Sequence, residues 1–389
     1  MNNNILWLAS WYPNSISPFD GDFIQRHARA VSSINNITLL YVKKDEKKTV
    51  TSGIKKIITQ TGKLTEIIIY YHPIATGIKL LDKLLSRRKY NSIYRKTLKK
   101  LIEKKGIPKL VHVHVALNVS QHALWLKKKY SIPIVISEHW TGYLDEAKPN
   151  LDSYNPVYKR WLQKIFKEAA AITVVSKVLG DAIQNRFKIN CKVIPNVVDT
   201  NIFYPDKKQV LSVTKFIHVS LLNYQKNPQD IIEAFRIVKK SGYNFQLTIY
   251  GPDNIELKQL VNDKNLQAEI IFKKEVPQNI LAKEMQQSDA LILYSRYETF
   301  GCVVIEANAC GIPVIVSDLP VFREYLKENV TGIFAKPNDP STLAEKIIYF
   351  ITNKNTFSST EIANYTKSIF SYNSVAQQFS GVYTRILGK

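Results

Sequence analysis

The sequence predicts an α/β protein made of two Rossmann-like domains, each with a doubly wound parallel sheet, that face a central cleft. Three observations lead to this prediction. The chain has 389 residues, which is the size of two ordinary domains. Short runs rich in valine, isoleucine and leucine alternate with longer helical patterns over almost the whole length. A polar break that contains a proline divides this series near its middle.

Short apolar runs predict the strands of both halves. Most of these runs are continuous rather than alternating, which is typical of strands covered by helices on both faces. In the first half they are Ile5–Ala9, Ile37–Val42, Ile67–Tyr71, Leu110–His114, Ile134–Ser137, Ile172–Val175 and Lys192–Ile194. In the second half they are Phe216–Leu221, Gln246–Tyr250, Ile270–Lys273, Ala290–Tyr294 and Pro313–Ser317, with helices between them such as Pro228–Lys240 and Pro277–Gln287.

The break at Asp199–Val213 sets the predicted domain boundary. Its stretch Tyr204–Lys208 is polar and carries a proline, so it is interpreted as a linker. We therefore expect a first domain over residues 1–205 and a second over residues 206–370, with a helix at 371–389 that packs back on the first. Because doubly wound sheets bind ligands beyond the carboxyl ends of their strands, the cleft between the domains is the expected active site.

Composition excludes several classes of protein. No window reaches the roughly 18 consecutive apolar residues that a membrane-spanning helix needs. The first ten residues lack the basic start and cleavage pattern of a signal peptide, so we expect a cytoplasmic protein.

The three cysteines, Cys191, Cys302 and Cys310, form no CxxC pair, which argues against a disulfide framework and against a zinc site. The net charge of +22 fits nucleic acid, an anionic membrane or phosphorylated substrates, and composition does not choose among them.

The most informative segment runs from Tyr294 to Pro313. It is interpreted as a buried strand, a turn that carries Glu298 and Gly301, and a helix that ends before Gly311. The amides at the start of such a helix suit a phosphate. A carboxylate one to two turns into the helix, Glu306, can accept hydrogen bonds from the hydroxyls of a ribose.

This segment and its neighbours resemble the retaining glycosyltransferases of family GT4, which have the GT-B fold. The resemblance rests on the Glu298-x7-Glu306 spacing followed by Ala-x-Ala-x-Gly-x-Pro-Val. Residues 193–199, Val-Ile-Pro-Asn-Val-Val-Asp, resemble a Pro-Asn-Gly-Val-Asp segment of the family, with Val197 in place of glycine. Residues 219–235 resemble its Gly-Arg-Leu-x3-Lys segment and the helix that follows, and residues 332–350 resemble its closing region.

The resemblance implies roles for residues of the second half. Glu306 binds the donor ribose, and Glu298 contacts hydroxyls of the donor sugar. Lys226 neutralises the diphosphate as the leaving group gains charge. The family pairs that lysine with an arginine five residues earlier, where this chain has Leu221, so part of this stabilisation must be weaker or come from another basic residue. The backbone that is implied to hold the diphosphate or the sugar comprises Thr299, Phe300, Gly301, Cys302 and Val303.

Two features of the first half also resemble the family. Gly21 follows the first strand and lies in a stretch that resembles the glycine loop facing the donor phosphates. His139 follows a strand at the place where related enzymes have a histidine near the donor sugar and the acceptor. His139, Glu298 and Lys226 are thus the candidate catalytic residues. No cofactor and no metal are expected beside the nucleotide-sugar donor; His112 and His114 are expected at opposite or half-buried positions without a metal.

A basic segment at residues 79–105 carries eleven lysines and arginines against two acidic residues, with apolar residues interleaved at near-helical spacing. A basic amphipathic helix is typical of binding to a membrane surface. The alternative is a helix packed on its sheet with a solvated lysine face, and the sequence leaves both open. If the helix docks, it places the protein on the inner face of a membrane near a lipid-linked acceptor.

The sequence therefore predicts a retaining glycosyltransferase of the hexosyltransferase type (EC 2.4). It would move a sugar from a nucleotide-sugar donor to a glycan or lipid-linked glycan in cell-surface polysaccharide synthesis. Two alternatives stay open: a sugar-nucleotide epimerase on the same fold, and a non-catalytic protein that binds nucleotides or nucleic acid. Nucleic acid is not the expected partner, because the chain has no helix-turn-helix, zinc or aromatic RNA-binding motif.

Overall fold

The computed structural model describes residues 4–50, 53–207 and 212–388. The linker prediction falls partly on residues 208–211, and that part lies outside the described residues. The described chain forms two sheets, one of eight strands and one of six. In both, helices join most of the successive strands, which confirms the predicted architecture of two doubly wound α/β units.

The first sheet has the strand order β3-β4-β2-β1-β5-β6-β7-β8 and is parallel except for β3. Its strands are β1 (Asn4–Ala9), β2 (Asn36–Lys44), β3 (Ile54–Thr61), β4 (Leu64–Tyr71), β5 (Leu110–His114), β6 (Ile134–Glu138), β7 (Ala171–Val174) and β8 (Lys192–Val193). The order reverses between β1 and β5, since β1 pairs with β2 on one side and with β5 on the other. The carboxyl end of β1 is therefore the switch point of this sheet.

Five helices of the first half cover this sheet. They are α1 (Asp22–Ser32), α2 (Lys79–Lys105), α3 (Ser120–Tyr130), α4 (Pro156–Glu168) and α5 (Lys177–Phe187). The apolar side of α1 faces the sheet, with Ile24, Ala28 and Val31 fully buried. Side-chain caps fix the starts of α4 and α5, where Asn155 and Ser176 accept hydrogen bonds from backbone N–H groups.

The second sheet has the order β11-β10-β9-β12-β13-β14 and is parallel throughout. Its strands are β9 (Thr214–Val219), β10 (Phe245–Tyr250), β11 (Ile270–Lys273), β12 (Ala290–Leu293), β13 (Val314–Ser317) and β14 (Gly332–Ala335). Its helices are α6 (Pro228–Lys240), α7 (Ile255–Asp263), α8 (Gln278–Gln286), α9 (Cys302–Ala309), α10 (Pro320–Arg323) and α11 (Pro340–Asn353). Here the switch point lies at the carboxyl end of β9, between β10 and β12.

The chain ends with two helices, α12 (Ser359–Phe370) and α13 (Tyr372–Leu387). The first packs against α9, whereas α13 packs against α1 of the first half. The α13 residues Phe379 and Tyr383 are buried in one apolar cluster with Trp7 of β1. The last helix thus returns to the sheet where the chain began.

Two strands were not predicted. The first is β3, whose sequence Ile-Lys-Lys-Ile-Ile-Thr-Gln-Thr is polar and mostly exposed because it forms the sheet edge, antiparallel to β4. The second is β14, which the sequence placed only in a closing region. In addition, β4 begins at Leu64 rather than Ile67, because its first residues pair with β2 and β3 despite their polar character.

Candidate functional site

A cavity of about 440 Å³ opens between the carboxyl edges of the two sheets. Residues that follow β1 and β6 line it from the first half, and residues that follow β9, β10 and β12 line it from the second. Both switch points therefore face the same space. Of the ten predicted site residues, the cavity lining contains nine: His139, Lys226, Glu298, Thr299, Phe300, Gly301, Cys302, Val303 and Glu306.

Gly21 is the predicted site residue that does not line the cavity. It precedes α1 with a φ of 67°, and a Cβ there would lie 2.6 Å from the carbonyl carbon of Trp11. Only glycine tolerates both conditions. Its place in the structure is a tight turn that directs the next two residues, Asp22 and Phe23, into the cavity.

The turn before α9 brings backbone into the cavity. Gly301 has a φ of 85°, and a Cβ there would lie 2.9 Å from a ring carbon of Phe322. No side chain caps the amino end of α9, so its first N–H groups are available to a ligand. The Phe300 ring stacks on Tyr325, whose hydroxyl donates to the Phe300 carbonyl at 2.6 Å. The contact with Tyr325 therefore fixes the position of the turn.

Glu298 is buried at the cavity wall and is held by three side chains. Its Oε1 accepts hydrogen bonds from the Lys226 ammonium and from the Ser295 hydroxyl, the latter at 2.9 Å. Its Oε2 accepts from the Gln225 amide at 3.3 Å. Lys226 and Glu298 therefore meet as an ion pair, although 72 residues separate them in the sequence. Leu221, at the place of the family arginine, lines the same cavity and is 61% exposed.

Glu306 is buried in α9 and forms an ion pair that the sequence analysis missed. Its Oε1 accepts from the guanidinium of Arg26, which belongs to α1 of the first half. Arg26 also donates to the carboxylate of Asp22 at 2.9 Å, and Gln278 of α8 donates to that same carboxylate at 3.2 Å. A network of charged and polar groups thus bridges the cleft beside Glu306.

Burial sets the ionisation of this pair. Burial raises the pKa of Glu306, and Asp22 raises it further, while Arg26 lowers it. Burial opposes the charge of Arg26, yet the Asp22 and Glu306 carboxylates raise the pKa of Arg26 above its ordinary value. Arg26 is therefore a permanent cation in the cleft. No local sequence pattern indicates it, because its partner lies 280 residues away.

His139 reaches the cavity from the end of β6. Its ring packs beside Phe23, with 4.6 Å between the ring centroids, and its carbonyl accepts a hydrogen bond from the Thr299 hydroxyl at 3.3 Å. Burial lowers the pKa of His139 well below its ordinary value, and His27 and His112 lower it further. The imidazole is therefore neutral at physiological pH and can act as a hydrogen-bond partner.

His112 and His114 were expected at opposite or half-buried positions, and this prediction was wrong. Residues two apart on a strand share a face, and both rings are fully buried on the same side, with 4.2 Å between their centroids. His112 pairs with the hydroxyls of Tyr383 and Ser137, both at 2.7 Å. One ligand atom each of His27, His114 and His139 lies within 4.8 Å of the others, a spacing at which three imidazoles could hold a metal ion.

The three cysteines are free thiols in the structure. Cys302 begins α9 at the cavity, where burial raises the pKa of its thiol to about 12. A neutral thiol is a poor nucleophile. Cys302 is therefore placed to contribute its backbone to the site rather than its sulfur.

No helix in the described part of the chain is both long and apolar enough to cross a membrane.

Comparison with known proteins identifies the family. The family described as "Glycosyl transferases group 1" matches residues 205–368, and "Glycosyltransferase Family 4" matches residues 65–202. An uncharacterised glycosyltransferase of Methanocaldococcus jannaschii is 29% identical over 263 residues, which is 66% of this chain and 69% of that protein. The aligned parts span between half and about two thirds of the first three curated relatives.

Solved structures share the whole fold. Sucrose-phosphate synthase from Thermosynechococcus elongatus superposes with a TM-score of 0.78 at 16% identity, and all of each chain is covered. An Anabaena protein solved with UDP and glucose superposes with a TM-score of 0.69 at 16% identity, with 99% of this chain and 100% of that chain covered. These likenesses and the two family matches agree with the architecture described above. The chain belongs to the glycosyl transferases group 1 family, also called glycosyltransferase family 4, and has the GT-B fold.

Proposed function

We propose that this protein is a retaining glycosyltransferase that moves a hexose from a nucleotide-sugar donor to a glycan or lipid-linked glycan in cell-surface polysaccharide synthesis. One observation supports the proposal above all. The strand, turn and helix at residues 290–309 present two buried carboxylates, Glu298 and Glu306, and an uncapped helix start to one cavity between the switch points. This combination provides separate partners for a sugar, a ribose and a diphosphate.

Each part of the donor has a matching group in the cavity. The amides at the start of α9 donate hydrogen bonds to the diphosphate, since a helix amino end attracts anions. Glu306 accepts hydrogen bonds from the ribose hydroxyls, and Glu298 accepts from hydroxyls of the sugar. Lys226 lies against Glu298, so its ammonium is at the junction of sugar and diphosphate, where charge develops as the bond to the anomeric carbon breaks.

His139 contributes from the other wall of the cleft. Its neutral ring can donate a hydrogen bond to a sugar hydroxyl without adding charge. In a reaction that retains configuration, the nucleoside diphosphate leaves and the acceptor attacks on the same face. Glu298 then orients the donor and is not itself a nucleophile. The amides at the start of α9 and the Lys226 ammonium supply the positive charge for departure, and we propose no cofactor and no metal.

Donor binding tests the proposal. We expect one series among UDP-, GDP- and ADP-sugars to raise the melting temperature of the wild type, because a ligand at 100 times its Kd stabilises the folded state by about 2.7 kcal/mol. UDP-glucose is the first compound to try, since a structural neighbour was solved with UDP and glucose. Glu306→Gln should lose most of this stabilisation, whereas Glu345→Gln, an exposed glutamate of α11 outside the cavity, should keep it.

Product analysis separates transfer from the alternatives. A glycosyltransferase releases nucleoside diphosphate only when an acceptor is present or water replaces it, whereas an epimerase converts the sugar with no acceptor. If no nucleotide sugar stabilises the wild type while DNA binds with a steep dependence on salt, the transferase proposal is wrong and the nucleic-acid alternative gains support.

We also propose that the start of α2 docks on an anionic membrane surface. The second half of α2 is anchored to the sheet by buried Ile93, Tyr94 and Leu98. The first half differs, because Leu80 is 80% exposed and Leu84 is 48% exposed. The exposed apolar residues of this region are Ile78, Leu80, Leu81 and Leu84, and the exposed basic residues among them are Lys79, Lys83, Arg87 and Arg88.

Such a surface combines apolar insertion with attraction to anionic lipids, which contributes about 1 kcal/mol per basic residue near the membrane. Docking would bring the cleft to a lipid-linked acceptor on the inner face of the membrane. We expect co-sedimentation with vesicles that contain phosphatidylglycerol, and its loss in Leu80→Glu/Leu84→Glu. Ile255→Glu, an equally exposed apolar position on α7, is the control that should bind as the wild type does. Absence of binding to these vesicles would overturn the docking proposal.

A further inference from the structure

The charges that line the cavity do not balance those of a nucleotide sugar. Among the described residues that line it, four carry carboxylates, namely Asp22, Glu275, Glu298 and Glu306. Two carry basic side chains, Arg26 and Lys226. A nucleoside diphosphate sugar brings about two negative charges to this space. Lys226 is already paired with Glu298, and Leu221 stands where the family has its second cation.

Arg26 is the second cation of the cavity, and it is held by the carboxylates of Glu306 and Asp22. Its guanidinium is 2% exposed and contacts Glu306, the proposed ribose partner. It lines the same cavity as Cys302, the first residue of α9. Arg26 therefore contacts the proposed ribose carboxylate and faces the same cavity as the helix start that suits a diphosphate. Its buried Nε has no hydrogen-bond partner in the described part of the chain, so one donor is unused.

We propose that Arg26 binds the donor diphosphate and takes the place of the arginine that Leu221 has replaced. The inference rests on the proposed function. When a donor enters, ribose hydroxyls bind Glu306 and the guanidinium turns from that carboxylate to a phosphate oxygen. Asp22, which accepts a hydrogen bond from Nη2 of Arg26 and another from Gln278, keeps one edge of the guanidinium in place. The guanidinium then stabilises the charge that the leaving diphosphate gains, as an arginine fork does for phosphate elsewhere.

A purely structural role for Arg26 makes a different prediction. If Arg26 only joins the two halves through Glu306, its removal leaves a buried carboxylate without its cation and weakens every ligand of the cleft equally. If Arg26 binds phosphate, its removal weakens ligands with a diphosphate and spares those without one. The comparison of a nucleoside diphosphate with its own nucleoside therefore distinguishes the two roles.

The experiment is calorimetric titration with UDP, GDP and ADP, and with uridine, guanosine and adenosine. The variants are Arg26→Gln, Leu221→Arg and both together, with Arg29→Gln as the control because Arg29 lies on the same helix but is exposed. One of the three nucleoside diphosphates should bind to the wild type. We expect Arg26→Gln to lower the affinity for that compound about tenfold or more, since a hydrogen bond to a charged group contributes about 1.5 kcal/mol or more. Its nucleoside should bind with unchanged affinity.

Leu221→Arg provides the second test. In the Arg26→Gln chain, the restored family arginine should recover most of the lost affinity for the diphosphate, and in the wild type it should add much less. An equal gain in affinity for the diphosphate in both chains would show that the two positions act independently. It would overturn the proposal that Arg26 takes the place of the family arginine. Equal loss of nucleoside and nucleoside diphosphate, or no loss at all, would overturn the phosphate role itself.

Two further outcomes are distinguishable. If the wild type binds no nucleoside diphosphate, the proposed function fails, and the role of Arg26 fails with it. If Arg26→Gln does not fold, Arg26→Lys keeps the charge but not the planar fork. We then expect weaker binding of the diphosphate in Arg26→Lys with the nucleoside unaffected, and unchanged diphosphate binding would contradict the proposal.

Discussion

Glu138 is a fully buried carboxyl at the end of β6, next to the proposed site residue His139. Burial raises its pKa from 4.5 to about 7, although Ala116 N–H at 2.7 Å and the Tyr143 hydroxyl at 3.1 Å both donate to it. The folded state therefore holds a proton that the unfolded chain releases above pH 4.5. Stability from this group is present below about pH 4.5 and is lost as the pH rises to about 7.

We predict that Glu138→Gln removes this loss. The interval between the two pKa values corresponds to about 3 kcal/mol of unfolding free energy. The stability of the variant relative to the wild type should rise by about this amount between pH 4.5 and pH 8, measured by urea denaturation at each pH. The lowered pKa values of the buried histidines act in the opposite direction but are common to both proteins and cancel in the difference. A difference that does not change with pH would show that Glu138 stays ionised.

The residues that the sequence could place are those with a local pattern. Glu298 and Glu306 follow from their spacing along a strand, turn and helix, and the structure brings both to one cavity. Their assigned roles remain predictions. Arg26 could not be found in this way, because it meets Glu306 only when two sheets pack face to face. That His112 and His114 share a face follows from strand geometry alone, so it could have been predicted from the sequence.

At the scale of elements, the turn before α9 depends on one glycine. We predict that Gly301→Ala lowers the free energy of unfolding by about 2 kcal/mol and abolishes donor binding. A left-handed backbone costs an alanine about 1–2 kcal/mol, and its Cβ would meet the Phe322 ring at 2.9 Å. Relief of this contact would move the helix start that faces the donor. Urea denaturation and nucleotide titration measure the two effects.

Gly381→Ala is the matched control for this prediction. Gly381 lies inside α13, and a Cβ there would meet no atom within 4 Å. Alanine is better than glycine in a helix by about 0.5–1 kcal/mol, so this variant should be as stable as the wild type or more so. If both substitutions changed the free energy of unfolding in the same direction, the left-handed backbone of Gly301 would not explain the effect of Gly301→Ala.

The central strands of both sheets could be predicted, whereas of the four edge strands β8 and β11 were predicted and β3 and β14 were not. The continuous apolar runs of β1, β5 and β12 indicate central strands because helices cover both sides. In β3 three isoleucines are interrupted and followed by lysine, threonine and glutamine at an exposed edge, so no long apolar run marks it. The length of α2 was predicted, but the contrast between its buried second half and its exposed first half depends on where β2 and β4 lie beneath it.

At the scale of the whole molecule, the chain leaves the first sheet, builds the second and returns. The return is made by α13, whose Phe379 and Tyr383 pack on Trp7 and His112 of the first sheet. In addition, the backbone N–H of Val198 donates to the carbonyl of Phe370 at 2.9 Å, which joins the end of the first half to the end of α12. The predicted division, with residues 371–389 assigned to the first domain, thus has a direct energetic test.

We predict that Phe379→Ala weakens the first domain and that Phe350→Ala weakens the second. Both rings are 1% exposed, and each truncation should cost about 3–5 kcal/mol. Phe350 packs on Phe216 of β9, so the two substitutions are matched in size and burial but lie in different cores. All five tryptophans lie between residues 7 and 161, and their fluorescence therefore reports on the first domain, whereas circular dichroism reports on both.

In a urea titration, the fluorescence midpoint should fall further in Phe379→Ala than in Phe350→Ala, because α13 shares its core with Trp7. The midpoint by circular dichroism should fall in both variants. Equal shifts of the fluorescence midpoint would mean either that α13 is not part of the first domain or that the two domains unfold as one unit. A double variant separates these cases, since the losses add in a single transition when the domains are coupled and appear in separate transitions when they are not.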